Sequence, residues 1–468
     1  MAESDIFATN GIENDTLTSA SAQMNPALDS ATLMFQMAPG MNLPYEYGGV
    51  DYEIGGYRAS AWIGTTLMIS PIYDVIGPDA CKFLQSISVN DFSKLKYKGI
   101  RHMIITNDKG QILSDGVVMR KSEDRYRTYW LNPPIQYLVE TSDMDVRGED
   151  MTGKEYFIQV DGIKSLEILE DAFQQDLHDL TFAHHRDIEV DGRQVTVLRL
   201  GMSGDLGYEF HGPIQDYAYM YQKVWESGKK FGARKLGMHA YNEFNHTEGG
   251  YPNILQHYPM PLFESDPGLA QYLREHPAMA GTNFNRKLAG SSTDLEERFV
   301  TPYDVGWGFL IKYNHDFPGR AALEAVKDNP PRTLATLEWN AEDVGKVFAA
   351  MNDGGDKVDD ISMQCDMPLP QNSFFGQTTF RADEVFTPDG SKVGITAGRI
   401  HSYNYNRMIS LAFVKPEFAV EGCELYLVWG TPGTRQMKVR CTVAHTPYND
   451  GPNHNATFDV NERIPKRF

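Results

Sequence analysis

The hydrophobic pattern organises the chain from about Met68 onward. His102 to Thr106 and Ile112 to Met119 are largely apolar runs on either side of Asn107-Asp108-Lys109-Gly110, whose turn chemistry predicts a β-hairpin. Arg125 to Trp130 and Tyr156 to Val160 read as the next strands, Ser165 to Phe173 as a helix, and Val195 to Leu200 as a further strand. Asp216 is placed to cap a helix in which Tyr217, Met220, Tyr221, Val224 and Trp225 recur at offsets of three and four, so one face is buried. Met351 to Leu369, rich in Gly and Asp, reads as loop. Beyond it Phe380 to Phe386, Ile395 to Arg399, Ile409 to Phe413, Glu424 to Trp429 and Met437 to Ala444 form short β segments between Pro-Asp-Gly and Thr-Pro-Gly turns, which predicts an all-β terminal domain. The first 40 residues are polar apart from Leu33 to Met37 and read as an arm that docks on the body or on another subunit, or as a disordered leader. No internal repeat or low-complexity tract is present. The fold class is α+β.

Length and charge narrow the function. The chain has 468 residues, which at about 150 residues per domain predicts about three domains. It carries 43 Lys and Arg against 63 Asp and Glu, a net charge of -20, and no basic run. Nucleic acid and anionic membrane surfaces are therefore excluded as main partners. The first basic residue is Arg58, which fits neither a secretory signal nor a transit peptide, and no apolar stretch approaches the ~18 residues of a membrane span. A cytoplasmic location is expected. Cys81, Cys365, Cys423 and Cys441 are scattered and predict neither a disulfide framework nor a zinc site.

Several constellations of residues are candidates for chemistry. Gly201-Met-Ser-Gly-Asp-Leu-Gly207 spaces its glycines by three, which is neither a phosphate loop nor a dinucleotide fingerprint, and Ser203 is not in a nucleophile elbow. His239, Glu243, His246 and Glu248 cluster without a known metal-ligand spacing, so no metal is expected. His184 and His185 read as a solvated turn. Asp115 opens the apolar run Gly116-Val-Val-Met119, and Glu209 lies between Tyr208 and Phe210. A carboxylate in such a place needs a partner, or reads the polar edge of a ligand.

These residues carry a resemblance. Arg199-Leu-Gly-Met-Ser-Gly-Asp-Leu-Gly-Tyr-Glu-Phe-His-Gly-Pro213 resembles the folate-binding segment of the glycine-cleavage T-protein (aminomethyltransferase) superfamily, and Thr301 to Gly308 with Lys312 to Arg320 is similar to a second segment of it. Pro44-Tyr-Glu-Tyr47, His239-Ala-Tyr241 and Tyr403-Asn-Tyr-Asn406 are similar to the tetrahydrofolate-dependent aryl O-demethylases that act on vanillate and syringate. The resemblance implies a three-domain folate-binding fold. Its expected divisions are an arm over 1–40, a folate-binding region of two interleaved α+β domains over 41–345, and a β-rich domain over 346–468.

The activity it implies is transfer of a methyl group from an aryl methyl ether to N5 of tetrahydrofolate, giving a phenol and 5-methyltetrahydrofolate. By position Glu209 would accept two N–H bonds from the pterin edge, and Asp115 would sit near the reacting nitrogens. Tyr241 falls on the catalytic tyrosine, whose phenol, with a pKa of about 10, suits protonation of a phenolate leaving group. Tyr45 and Tyr47 map to the substrate pocket. The arginine that grips an aromatic carboxylate falls on Leu131, beside Asn132, and the segment Ile69 to Tyr73 is shortened and lacks the family's His. Loss of that clamp points to an uncharged methoxyphenol, or to an acid held by another basic residue such as Arg127. Alternatives are folate-dependent transfer from a sulfonium, methylamine or aminomethyl-lipoate donor, and a non-catalytic folate-binding protein, whose K-G-C-Y-type motif is missing. Because folate and aromatic acids are anions, a local positive patch is expected at the channel mouth.

Overall fold

Asn107 closes the predicted hairpin. Its side-chain oxygen accepts from the backbone N–H groups of Lys109 and Gln111 at 3.0 and 2.9 Å, and Gly110 takes the left-handed conformation, φ +78°, that the turn needs. The computed structural model describes residues 26–38, 41–254, 256–276, 286–363 and 378–468. Across the turn Ile100–Thr106 pairs with Ile112–Arg120, placing Ile104 opposite Asp115 and His102 opposite Val117. Arg125–Tyr129, Ile72–Ile76 and Arg147–Asp150 extend this into a five-stranded antiparallel sheet. Helices Ala80–Ser86, Pro134–Glu140 and Pro267–Glu275 share its hydrophobic cluster.

The second sheet has six strands in the order His185–Val190, Arg193–Leu198, Gly207–Pro213, Glu155–Asp161, Trp62–Gly64 and Arg234–Leu236, antiparallel except for the last pair. Alternation along two adjacent strands sorts their side chains. Tyr156, Ile158, Val160, Tyr208 and Phe210 enter the cluster under helices Ser165–Phe173 and Tyr217–Lys230. Phe157, Gln159, Asp161, Glu209 and His211 therefore point to the opposite face. The second helix buries Tyr217, Met220, Tyr221 and Val224, as its spacing predicts. Asp216 does not cap it: a short 3-10 turn, Ile214–Asp216, leads in, and the Asp216 carboxylate sits 3.0 Å from Arg193.

The β segments of the carboxy-terminal part close into a six-stranded barrel, Thr333–Trp339, Arg407–Val414, Lys392–Ser402, Asp383–Phe386, Glu424–Trp429 and Met437–Ala444. It starts at Thr333, ahead of the expected boundary at residue 346. The chain after Ala444 leaves the barrel and returns to the second sheet, where Phe458, Val460 and Ile464 join the core. Of the arm, Pro26–Leu28 and the strand Leu33–Ala38 lie on the body: Leu33–Ala38 pairs with Met41–Glu46, and Ala27 is fully buried. Residues 1–25, and Cys365 with the end of the expected 351–369 loop, lie outside the described residues. Among the described residues no helix is long and apolar enough to cross a membrane.

The three bodies meet in a shared cluster that contains Trp62, Tyr129, Phe157, Leu198, Leu236, Tyr241 and Phe244, with Ile400 and Ile409 from the barrel. A strut fixes the two sheets beside it. Asp74, fully buried, accepts from Arg125 Nε at 2.6 Å and from Arg127 Nε and a terminal nitrogen at 2.7 and 2.9 Å, while Arg127 also pairs with Glu155 at the start of a strand in the other sheet. Arg127 is thus committed to structure. The suggestion that it holds a substrate acid is not supported, because both of its faces are occupied by carboxylates. Replacing Arg127 by Met is expected to lower unfolding free energy by about 3 kcal/mol, since it leaves Asp74 buried with half its compensation. Urea unfolding checks this, and a loss under about 1 kcal/mol would contradict it.

Candidate active site

Between the two sheets, beside the turn that carries Tyr241, lies a narrow cavity of about 120 Å³ with apolar walls that include Leu67, Val117, Tyr129, Trp130, Phe157 and Leu198. Its polar groups are Glu209, Tyr241, Asn242, His246, His102, Asp115 and Tyr251. A broader cleft on the outer barrel surface holds Arg407 and Arg440, whose charges are already paired with Glu338 and Asp343. That cleft gathers no buried ionisable cluster, so the narrow cavity is where chemistry is possible.

Glu209 occupies one pole. It stands directly opposite Gln159 in the ladder, on the same face, and its Oε1 accepts from Gln159 Nε2 at 2.9 Å. His211 Nε2 is 3.8 Å from the other carboxylate oxygen. Burial first, and then the nearby Asp161 carboxylate, push the Glu209 pKa up to about 8. His211 is held neutral by burial, and its Nδ1 contacts the Tyr129 hydroxyl at 2.9 Å.

Asp161 explains the glycines spaced by three. Its Oδ2 accepts from the backbone N–H groups of Met202 and Ser203, both at 3.0 Å, so the 201–207 loop wraps one carboxylate. A Cβ at Gly201 or Gly207 would lie 2.6 or 2.4 Å from Asp161 Oδ1, and only glycine permits that approach. Burial raises the Asp161 pKa to about 7 against the pull of those hydrogen bonds. From behind, Asn455 donates to the Gly207 carbonyl at 2.9 Å, and its own carbonyl and side-chain oxygen accept from Arg199 at 3.0 and 3.2 Å.

Tyr241 sits on a π-helical turn, Ala240–Asn245, a conformation common at functional sites. Glu53 fixes the start of that segment: it accepts from the backbone N–H groups of Gly237 and Tyr47, both at 2.6 Å. The Tyr241 ring is 2% exposed, set edge-on to Trp62 at 6.0 Å and to His246 at 5.9 Å. Burial, followed by the charge on Glu209, lifts its pKa well above 10, so the hydroxyl stays protonated. Asn242, next along, has a buried Nδ2 with no hydrogen-bond partner. Glu209 in a slot, an unpartnered amide donor and a protonated phenol together suit a flat ligand with a polar edge that both donates and accepts, which a pterin ring has.

The second pole is Asp115. Its Oδ2 is 3.0 Å from His102 Nε2, its Oδ1 accepts from the Tyr258 hydroxyl at 2.8 Å, and the Tyr251 hydroxyl lies 3.0 Å from the same His102 nitrogen. Trp307, from the Thr301 to Gly308 segment, stands edge-on to His102 at 4.7 Å.

The structure therefore brings Glu209, Asp115 and Tyr241 to one cavity and leaves the other sequence-predicted site residues off its lining. Tyr45 is buried with its ring stacked on His239 at 4.8 Å, and the Tyr47 hydroxyl donates to the Ala27 carbonyl at 2.6 Å. Leu131 is fully buried in the first sheet's core, and Asn132 precedes a cis proline. The chain presents Trp130 to the cavity instead. The four residues weighed as a metal cluster go to separate partners: His239 to Glu46, Glu243 to Gln256, His246 to the Tyr251 carbonyl, and Glu248 to Ser402 and Asn404. His185, expected in a solvated turn, is buried against the Arg120 carbonyl. No Lys or Arg lines the cavity, so the positive patch expected at its mouth is not found among the lining residues. Sequence reasoning missed Gln159, Asp161, Asn242, His102 and Tyr251.

Comparisons with known proteins agree with this architecture. The profile of the GCVT N-terminal domain family matches residues 34–258. A sesamin methylene transferase of Sinomonas sp. (strain No.22) is 44% identical over 422 residues, 88% of this chain and 92% of that protein. A syringate O-demethylase of Sphingobium sp. (strain NBRC 103272 / SYK-6) is 28% identical over 441 residues, 87% and 91% of the two chains. Among solved structures, the glycine cleavage system aminomethyltransferase T from Bartonella henselae superposes with a TM-score of 0.63 at 16% identity, covering 90% of this chain and 96% of that one, which establishes the shared fold. The chain belongs to the glycine-cleavage T-protein superfamily, in the group that holds the sesamin methylene transferase and the syringate O-demethylase.

Proposed function

We propose that the protein is a tetrahydrofolate-dependent aryl O-demethylase that transfers a methyl group from an uncharged methoxylated aromatic compound to N5 of tetrahydrofolate. The observation that carries this reading is the convergence of Glu209 and Tyr241 on one apolar slot that no cation lines. The relatives' names, a methylene transfer and an O-demethylation, both describe removal of a one-carbon unit.

When bound, tetrahydrofolate supplies the nucleophilic N5 that takes the methyl carbon and the N5 proton that balances the phenol formed. Glu209 accepts the paired N–H donors of the pterin edge, with Gln159 holding its other oxygen in register. Asn242 Nδ2 donates to an acceptor on the same ring. The aromatic walls seat the donor ring and exclude water. Tyr241, kept protonated by its surroundings, donates to the ether oxygen as the C–O bond breaks, and its hydroxyl leads the proton to the leaving phenolate. A neutral leaving group, as from a sulfonium, would need no such donor.

Tyr241→Phe is expected to lower kcat at least about 100-fold while changing folate affinity less than about threefold, a shift below 1 kcal/mol. Quantifying 5-methyltetrahydrofolate beside a binding titration checks both, and retained turnover would remove Tyr241 from its role. Glu209 gives a pH signature. In the free site its pKa is pushed up to about 8, so at pH 7 the carboxyl is mostly protonated. Two N–H donors favour the carboxylate and lower that pKa, so folate binding at pH 7 should release close to one proton. The release should fade by about pH 9.5, where the free group is already ionised, and vanish in Glu209→Gln. Calorimetry in buffers of different ionisation enthalpy measures it; uptake of a proton would have the wrong sign for this assignment.

A further inference from the structure

Trp130 is the cavity residue that strand alternation would not place there. Along Arg125–Tyr129 successive side chains point to opposite faces of the first sheet. Tyr126 enters the core that this sheet shares with its helices, and Tyr129 enters the cluster around Tyr241. A strand continued in the same register would bury residue 130 with Tyr126 and turn residue 131 to the cavity. The reverse is found: Trp130 lines the cavity and Leu131 lies in the first sheet's core. A left-handed backbone at Trp130, φ +64°, makes this exchange. Of the described non-glycine residues with such a φ, Trp130 is the one that lines the cavity. A bulky side chain is disfavoured in that region, and such strain persists only where the surroundings enforce it. The Trp130 N–H donates to the Pro71 carbonyl at 3.1 Å, and its carbonyl accepts from the buried Ser114 hydroxyl at 3.0 Å. Gly116 on the neighbouring strand leaves room for the corner, since a Cβ there would collide with the Tyr129 carbonyl oxygen. The indole is half-buried, so part of its surface is left for a ligand to cover.

We propose that Trp130 seats the donor's aromatic ring, and that its strained backbone is kept because it delivers the indole to that ring. The inference rests on the demethylase reading and deepens it by naming the side chain that selects a flat ring and holds its ether oxygen in reach of Tyr241. The two sheets divide the ligands between them. Glu209 and Gln159, which suit the pterin edge, stand on the second sheet, whereas Trp130 follows a strand of the first, the one that pairs with the strand of Asp115 and Gly116. Offset stacking on an indole favours an aromatic ring over an aliphatic methyl donor. Because the contact needs no charge, it works in a slot that no Lys or Arg lines.

Calorimetric binding of phenol to the folate-free protein reads the contact without turnover. Trp130→Gly is expected to weaken phenol about three- to tenfold, the worth of one stacked aromatic pair, while tetrahydrofolate affinity changes less than about twofold. Indole emission should shift when phenol binds. Trp130→Phe should remove the larger part of that shift, and Trp225→Phe, on the helix behind the second sheet, should leave it. With 4-methoxyphenol as donor, Trp130→Gly should lower kcat/KM at least about tenfold, because a loosely seated ring misplaces its ether oxygen. Urea unfolding isolates the strain: Trp130→Gly should unfold at higher urea than Trp130→Ala, the reverse of the usual order, since glycine accepts φ +64° without steric cost. Unchanged phenol affinity in Trp130→Gly would overturn the proposal. A loss of folate affinity as large as that for phenol would do the same, by assigning the indole to the pterin. Alanine as stable as glycine would remove the strained corner. If the wild type demethylated no methoxylated aromatic, the demethylase reading would fail on its own, and phenol binding that depends on Trp130 would still support the seat.

Discussion

A buried carboxylate that closes a loop is the constraint on which the site depends. Asp161 binds the Met202 and Ser203 amides at the end of one central strand, and the glycines at 201 and 207 let the backbone lie against it. That closure delivers the next strand in the register that sets Glu209 beside Gln159. The same carboxylate raises the proton affinity of Glu209, so one residue acts on the site through both geometry and charge. Asp161 holds a poorly solvated carboxyl that the loop satisfies on one oxygen only, with Oδ1 lacking a partner. Such a group is tolerated where it sustains function and is costly elsewhere.

The carboxy-terminal segment belongs to this arrangement rather than to the barrel. Asn455 ties Gly204, Gly207 and Arg199 together, and Asn449 reaches the Ser203 carbonyl at 3.2 Å and the Glu248 carbonyl at 2.8 Å. The last turns of the chain thus brace the outside of the loop whose inside grips Asp161. The barrel contributes Ile400 and Ile409 to the hydrophobic cluster that packs around Tyr241.

Local chemistry was legible where local rules decide. Helix Ser165–Phe173 and strands Glu424–Trp429 and Met437–Ala444 begin and end where the apolar spacing and turn residues place them. The His102–Asp115 pairing was missed although a local signal existed for it, since a hairpin closed at Asn107–Gly110 puts both residues on one face. Other features depend on partners far along the chain. The π-turn under Tyr241 needs Glu53, 184 residues from Gly237. Asp161 reads in sequence as an ordinary strand end, and His185 as a turn, until the packing that buries them exists. Tyr45 and Tyr47 share residue type with a substrate pocket, but their rings serve the core, and Leu131 points into the first sheet while Trp130 takes the cavity side.

Charge determines what the cavity can hold. No Lys or Arg is among the residues that line it, so an aromatic carboxylate would enter a low-dielectric slot with no opposite charge to compensate its own. The structure assigns Arg127, the nearest candidate clamp in sequence, to Asp74 and Glu155. A neutral ether would meet none of that cost, and the walls at Phe157, Tyr129 and Trp130 are of a kind that suits an aromatic ring. The anionic tail of a folate can remain outside the narrow part of the cavity, where solvent screens the acidic surface. Under the demethylase reading proposed above, the lack of a Lys or Arg among the lining residues separates the two ligands by where their charges lie, and favours an uncharged donor over an aromatic acid.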